Sequence, residues 1–265
     1  MSKRRVESQR GALSGHRADR ERSGEGKVVA IAGASSGVGK ATAFHFAALG
    51  YAVALCARRE AHVRAVADGI AARGGRALAM RADMSVFSDA AAFVDRTVRT
   101  FGRVDVLFNN AGAGVRFADF EDYTLEEIDR GIALNLTSVI YGCKAVLPVM
   151  RAQKGGHIVN MSSILGKKGR SGFAVYTAGK HGVEGFSKAL FNEVKKLNIR
   201  VTVLSPAMIN TEWAVKAGVE TPLSQGKLIE PEDIALVLQR IVEMPEHFTV
   251  WNVDVQARDQ VTNPL

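Results

Sequence analysis

From Lys27 onward, short apolar runs rich in β-branched residues alternate with longer amphipathic stretches. The runs at 27–33, 51–57, 76–82, 104–110, 157–163, 199–205 and 247–255 read as strands. The stretches 38–50, 60–73, 86–101, 124–153, 174–197 and 231–243 repeat at helical spacing. Gly50 and the Gly74–Gly75 pair stop the first two helices, and Pro231 opens the last. A break is expected near Gly131 in the long fourth stretch. Near-continuous apolar strands in alternation with helices predict a parallel sheet covered on both faces, an α/β doubly wound fold of Rossmann type. The pattern alone leaves the strand order open. Residues 207–229 interrupt the rhythm just past a strand's carboxyl end, where a long connection predicts a substrate loop beside a ligand crevice. Residues 1–25 have no periodicity and hold seven Lys or Arg against four acids. They read as a disordered basic tail, or as an arm on a partner subunit, preceding a single catalytic domain at 26–265.

Composition narrows the class. The 265 residues are 47% hydrophobic and 23% charged, as in ordinary globular domains. Cys56 and Cys143 sit in apolar runs and read as buried thiols of a cytoplasmic protein rather than a disulfide framework. No run of roughly 18–20 apolar residues suggests a membrane span, and no secretory signal is expected. The net charge of +8 is spread along the chain. It disfavours a dedicated nucleic-acid module and suits a phosphorylated cofactor or an anionic substrate. No metal site is expected.

Two stretches carry candidate chemistry. The first is Gly33-Ala34-Ser35-Ser36-Gly37-Val38-Gly39, between the first strand and the first helix. Glycines there allow a tight turn and close approach to a pyrophosphate, and the helix N-terminus favours the phosphates. The spacing is GxxxGxG rather than GxGxxG; a purely structural turn is the alternative, which the strand–turn–helix context disfavours. The second strand ends in Ala57-Arg58-Arg59 with no carboxylate for a free ribose hydroxyl. A guanidinium fork there favours a 2′-phosphate, hence NADP over NAD; Ser35 or Ser36 can add a hydroxyl. Alternatively both arginines are solvated residues at a helix start. Asp83 can accept from an adenine amino group or cap the next helix. The run Asn109-Asn110-Ala111-Gly112 offers small residues at a strand end.

The second stretch holds Tyr176 and Lys180, spaced i and i+4 on one helix face. A carbonyl being reduced needs a proton donor at oxygen, and an alcohol being oxidised needs a base. A lysine ammonium beside a tyrosine favours the phenolate. Ser163, thirteen residues earlier at a strand end, can place the substrate oxygen. Asn135, polar within IALNLTSVI, demands a partner. Each residue alone also fits ordinary packing. Arg116 and Arg170 can meet an anionic substrate group or simply be solvated.

Taken together and in order, these motifs resemble the short-chain dehydrogenase/reductase family over about residues 26–255. The resemblance implies a seven-stranded sheet of order 3-2-1-4-5-6-7 and a homo-oligomer, dimer or tetramer. It implies hydride transfer between NADP and a small-molecule carbonyl or alcohol. Tyr176 would be the acid/base, Lys180 its partner and ribose ligand, Ser163 the substrate anchor and Asn135 the support of the proton relay. Cofactor contacts would come from residues 33 and 35–39, Arg58, Arg59, Asp83, Met84, Asn110, Ala111, Gly112, Tyr176, Lys180, Pro206, Ile209 and Thr211, with Arg58 at the basic position associated with NADP preference. The substrate would meet Ser163, Leu165, Arg170, Phe173, Ala207 and the 208–225 loop with Trp213. The chain departs from the family pattern at Ala32, Gly179 and Ala207, none of which removes a reacting group. A cofactor-binding sensor or scaffold with little turnover is the alternative.

Overall fold

In the computed structural model, which describes residues 23–112, 115–212 and 228–258, the strands fall on the apolar runs, with their ends shifted by a few residues. They are β1 Val28–Ala32, β2 Ala52–Ala57, β3 Arg76–Arg81, β4 Val106–Asn109, β5 Gly156–Met161, β6 Ile199–Pro206 and β7 Asn252–Val255. The helices are α1 Gly37–Ala48, α2 Glu60–Ala71, α3 Phe87–Phe101, α4 Leu125–Ile132, α5 Ser138–Gln153, α6 Ala174–Val194 and α7 Pro231–Val242. The sheet runs β3-β2-β1-β4-β5-β6-β7 with every pair parallel. Chain order reverses between β1 and β4, which opens a crevice at their carboxyl ends.

Two apolar layers hold the sheet. On one face Phe46 of α1, Val63 and Ile70 of α2 and Leu238 of α7 meet Ile31, Leu55 and Phe108. On the other, Phe93 of α3, Cys143 and Met150 of α5 and Leu190 of α6 meet Ala54, Leu107 and Ile158. β1, β2 and β4 are buried along their whole length, whereas β3 and β7 form half-exposed edges. Each fully buried Phe or Leu contributes about 1.5–3 kcal/mol of transfer free energy, so these central strands anchor the crevice.

The break expected near Gly131 is a π turn at Ala133–Thr137, between α4 and α5. Two other expectations change. The run Leu125–Gln153 does hold an 18-residue window of mean hydropathy 1.5, long and apolar enough by composition to cross a membrane. In the fold it is a crossover whose Val139, Cys143, Val146 and Met150 are buried in the layer against the sheet. Residues 23–25, expected as the end of the tail, are held instead. Gly24 N–H donates to Leu49 O at 3.0 Å and Ser23 Oγ donates to Glu243 at 2.8 Å. The rest of the predicted tail lies outside the described residues.

Candidate active site

Strand ends and the starts of α1 and α6 surround a cleft of about 1070 Å³. Its wall begins at the turn after β1. Gly33 has φ +78, and a Cβ there would lie 2.8 Å from Ala111 Cα. Asn110 Nδ2 donates to Gly33 O at 3.0 Å and ties the end of β4 to this turn. Ser35, Ser36, Gly37 and Val38 line the cleft with Asn110, Ala111 and Gly112. Gly39 does not line it. A Cβ at 39 would stand 2.3 Å from Gly33 O, so this glycine lets α1 pack on its own turn rather than meeting a ligand.

At the same end Arg58, Arg59, Asp83 and Met84 line the cleft. Arg59 is the arginine aimed at the glycine turn, donating to Ser36 Oγ at 2.7 Å and Ser35 Oγ at 3.1 Å. It also lies 3.8 Å from Glu212. Asp83 does not cap α3, whose preceding residue is Val86. Its Oδ1 accepts from Ser85 N at 3.0 Å and Ser85 Oγ at 2.6 Å. Burial pushes the Asp83 carboxyl up, but the Ser85 hydrogen bonds and the charges of Arg58 and Arg130 together hold it below the ordinary carboxylate range.

The other end assembles the chemical groups. Tyr176 and Lys180 lie one turn apart on α6, both buried. Ser163 follows β5 and hydrogen-bonds the Tyr176 hydroxyl, while its Oγ accepts from Leu165 N at 3.2 Å. Lys180 Nζ donates to Met161 O at 2.9 Å and sits 5.6 Å from the Tyr176 ring centroid. Asn135 stands in the π turn, where the widened ring leaves Gly131 O to its Nδ2 at 3.0 Å. A Cβ on Gly112 would come within 3.2 Å of Asn135 Oδ1 and 3.7 Å of Lys180 Nζ. Glycine at 112 thus keeps open a cradle between β4 and these two groups, which suits a planar ring and ribose of a nicotinamide cofactor.

The expected effect of Lys180 on Tyr176 differs from what the cofactor-free site shows. Burial pushes the tyrosine up to about 12 and the Ser163 bond only partly offsets this. Burial pulls the lysine down to about 8. Each shift is toward the neutral form, because a charge taken out of water loses its solvation.

Pro206, Ile209 and Thr211 line the cleft where the substrate loop leaves β6. The two ends of that loop are clasped. Ile209 bridges to Ile229, Asn210 N–H donates to Ile229 O at 2.8 Å, and Asn210 Nδ2 donates to Glu230 at 3.0 Å. Trp213 and residues 213–227 lie outside the described residues. Leu165, Arg170, Phe173 and Ala207 line the cleft as expected. Arg116 does not, because it bonds Glu127 at 3.2 Å and Asp122 O at 2.7 Å.

Sequence reasoning missed Lys168, which lines the cleft, and Glu184, a buried carboxylate. Glu184 accepts from Ser205 Oγ at 2.7 Å and Asn252 Nδ2 at 2.8 Å, joining α6 to β6 and β7. Its place four residues after Lys180, on the same helix face, was the available signal.

A family model described as short chain dehydrogenase matches residues 27–221. A carbonyl reductase family member 4 from Xenopus laevis is 35% identical over 222 residues, covering 83% of this chain and 92% of its own. A metagenomic short-chain oxidoreductase solved in complex with NADP superposes with a TM-score of 0.77 at 33% identity, over 88% of this chain and 97% of its own. A 3-ketoacyl-(acyl-carrier-protein) reductase from Brucella melitensis, complexed with NADH, gives 0.82 at 30% identity over 89% and 99%.

Proposed function

The chain belongs to the short-chain dehydrogenase/reductase family of oxidoreductases, and from that premise we propose that it interconverts a carbonyl and an alcohol with NADP, using Tyr176 as the acid/base. The observation that carries this reading is the convergence of Tyr176, Ser163, Lys180 and Asn135 on one end of the cleft. The cofactor, when bound, supplies or accepts the hydride. Ser163 donates a hydrogen bond to the carbonyl oxygen, and Tyr176 delivers the proton to it. In the reverse direction Tyr176 takes the proton from the alcohol. Burial keeps the Tyr176 hydroxyl protonated in the cofactor-free site, the form that can donate to a carbonyl oxygen. Lys180, anchored on Met161 O, sits beside the ring, and its ammonium form stabilises the tyrosinate left behind. Asn135 holds the π turn that presents it to the cradle.

NADP over NAD is supported by Arg59 on Ser35 and Ser36, with Arg58 beside them and no carboxylate at the end of β2. We further infer a homo-oligomer, dimer or tetramer. Exposed Met244, Phe248 and Trp251 near the β7 edge support it, and sedimentation of the full chain tests it. A cytoplasmic location accords with two buried free cysteines. The central experiment is a carbonyl panel with NADPH and NADH, repeated on Tyr176→Phe. NADPH-dependent turnover that the substitution removes is expected; turnover retained by the variant rejects the acid/base role.

A further inference from the structure

Among the described residues, the substrate end of the cleft carries charge of one sign. Its lining loop, GKKGRSG at 166–172, contributes Lys168 and Arg170, both exposed. The carboxylates lining the cleft among the described residues, Asp83 and Glu212, belong to the cofactor end, where Ser85 and Arg59 engage them. The neighbouring cations are already committed. Lys167 bonds Asn252 at 2.7 Å and pairs with Asp254, and Arg116 pairs with Glu127. Lys168 and Arg170 have no ion pair among the described residues.

Arg170 is positioned rather than loose. Its guanidinium carbon lies 5.4 Å over the centroid of the Phe173 ring, and that ring meets the Tyr176 ring edge-on at 6.2 Å. Phe173 is 2% exposed, so the platform under the arginine is fixed by the core. A cation–π contact sets the plane of the guanidinium without using its N–H donors, which stay available as a planar fork. One aromatic ring thus separates this fork from the acid/base.

We propose that this loop selects carbonyl substrates bearing an anionic group, a carboxylate or a phosphate, a short spacer away from the reacting carbon. Arg170 is the bidentate anchor and Lys168 the second charge. The inference rests on the reading that a carbonyl is reduced at Tyr176. It adds what the far end of that molecule carries. A charge-assisted fork discriminates an anion from its neutral counterpart by about tenfold or more.

The test pairs substrates that differ only in charge, with NADPH on the full-length protein. Straight-chain oxo acids of increasing carbonyl-to-carboxylate spacing are compared with their methyl esters, and dihydroxyacetone phosphate with dihydroxyacetone. In at least one pair the anion should have about tenfold higher kcat/KM, an advantage that shrinks as salt screens the exposed cations. Arg170→Gln, and Lys168→Gln to a smaller extent, should move that ratio toward one. The pair that responds tells carboxylate from phosphate. No anion preference in any pair, or a preference that survives the double substitution, overturns the proposal. Turnover of a neutral ketone such as cyclohexanone, lost in Tyr176→Phe, tests the reaction separately, so the two readings fail independently.

Discussion

The two ends of the cleft are built by different means. The cofactor end is made of backbone and short side chains: Gly33, Ser35, Ser36, Ala111 and Gly112, on turns that leave buried strands. The selectivity proposed for it rests on half-exposed Arg59, which still has solvent as an alternative partner. The chemical end is made of side chains sunk in the protein, with Tyr176, Lys180 and Asn135 all buried. Close approach is the first end's requirement, and glycine supplies it. Shifted protonation is the second end's property, and burial supplies that. Substitutions at the first end should therefore act on binding, and at the second on turnover and on pH dependence.

The largest expected effect breaks the chemical end alone. Tyr176→Phe removes the proton donor and keeps the ring against Phe173, so kcat should fall about a thousandfold. NADPH binding, read by fluorescence titration, should change little. Loss of both together would dissolve the distinction between the ends.

Gly33→Val attacks the opposite end. The left-handed φ of +78 and the 2.8 Å approach to Ala111 Cα leave no place for a side chain. NADPH affinity should drop about a hundredfold, and strain of about 1–3 kcal/mol should appear as a lower Tm. Normal affinity in this variant would mean that the turn does not set the cofactor's approach.

One part of the pH dependence of stability belongs to the chemical end. Lys180 is pulled down to about 8 in the folded protein against an ordinary 10.5, so above pH 8 the unfolded chain binds the extra proton. The contribution of Lys180 to the stability of the cofactor-free protein should therefore rise between about pH 8 and 10, on the order of 2 kcal/mol, and be lost again as pH falls back to 8. Buried Cys56 and Cys143 act the other way from about pH 9, and Tyr176 and Tyr51 from about 10, because the unfolded chain loses their protons first. In denaturant melts the stability difference between the wild type and Lys180→Met should therefore move in favour of the wild type from about pH 8 to 10; a difference that does not change with pH would remove this role from Lys180.

The smallest effect sharpens the cofactor end. Arg59→Ala should raise the KM for NADPH about tenfold and leave that for NADH nearly unchanged, as loss of one exposed charge-assisted contact does. Equal increases for both cofactors would remove the 2′-phosphate from Arg59.

Much of this was legible before the fold was known. Gly33, Tyr176 and Lys180 announce themselves because the roles proposed for them depend on local spacing, one turn of chain or one turn of helix. The resemblance pointed to Arg58 as the basic position tied to NADP, whereas in the fold it is Arg59 that reaches Ser35 and Ser36. Arg116 and Arg170 were equivalent candidates until Glu127 took the first and Phe173 positioned the second. The break expected near Gly131 comes just after it, and the fold shows it to be a π turn that Asn135 itself completes.

By itself the sequence determined the periodicities, the seven strands and the spacing that puts Tyr176 and Lys180 on one face. These follow from forces between residues a few positions apart. The tertiary structure decided what needs distant segments to meet: the strand order that opens the cleft, the 77-residue link from Asn110 to Gly33, the buried clasp of Glu184 on Ser205 and Asn252, and the protonation of Tyr176 and Lys180. Protonation is the clearest case, because a pKa is set by the water a group has lost, and only the packed chain determines that loss.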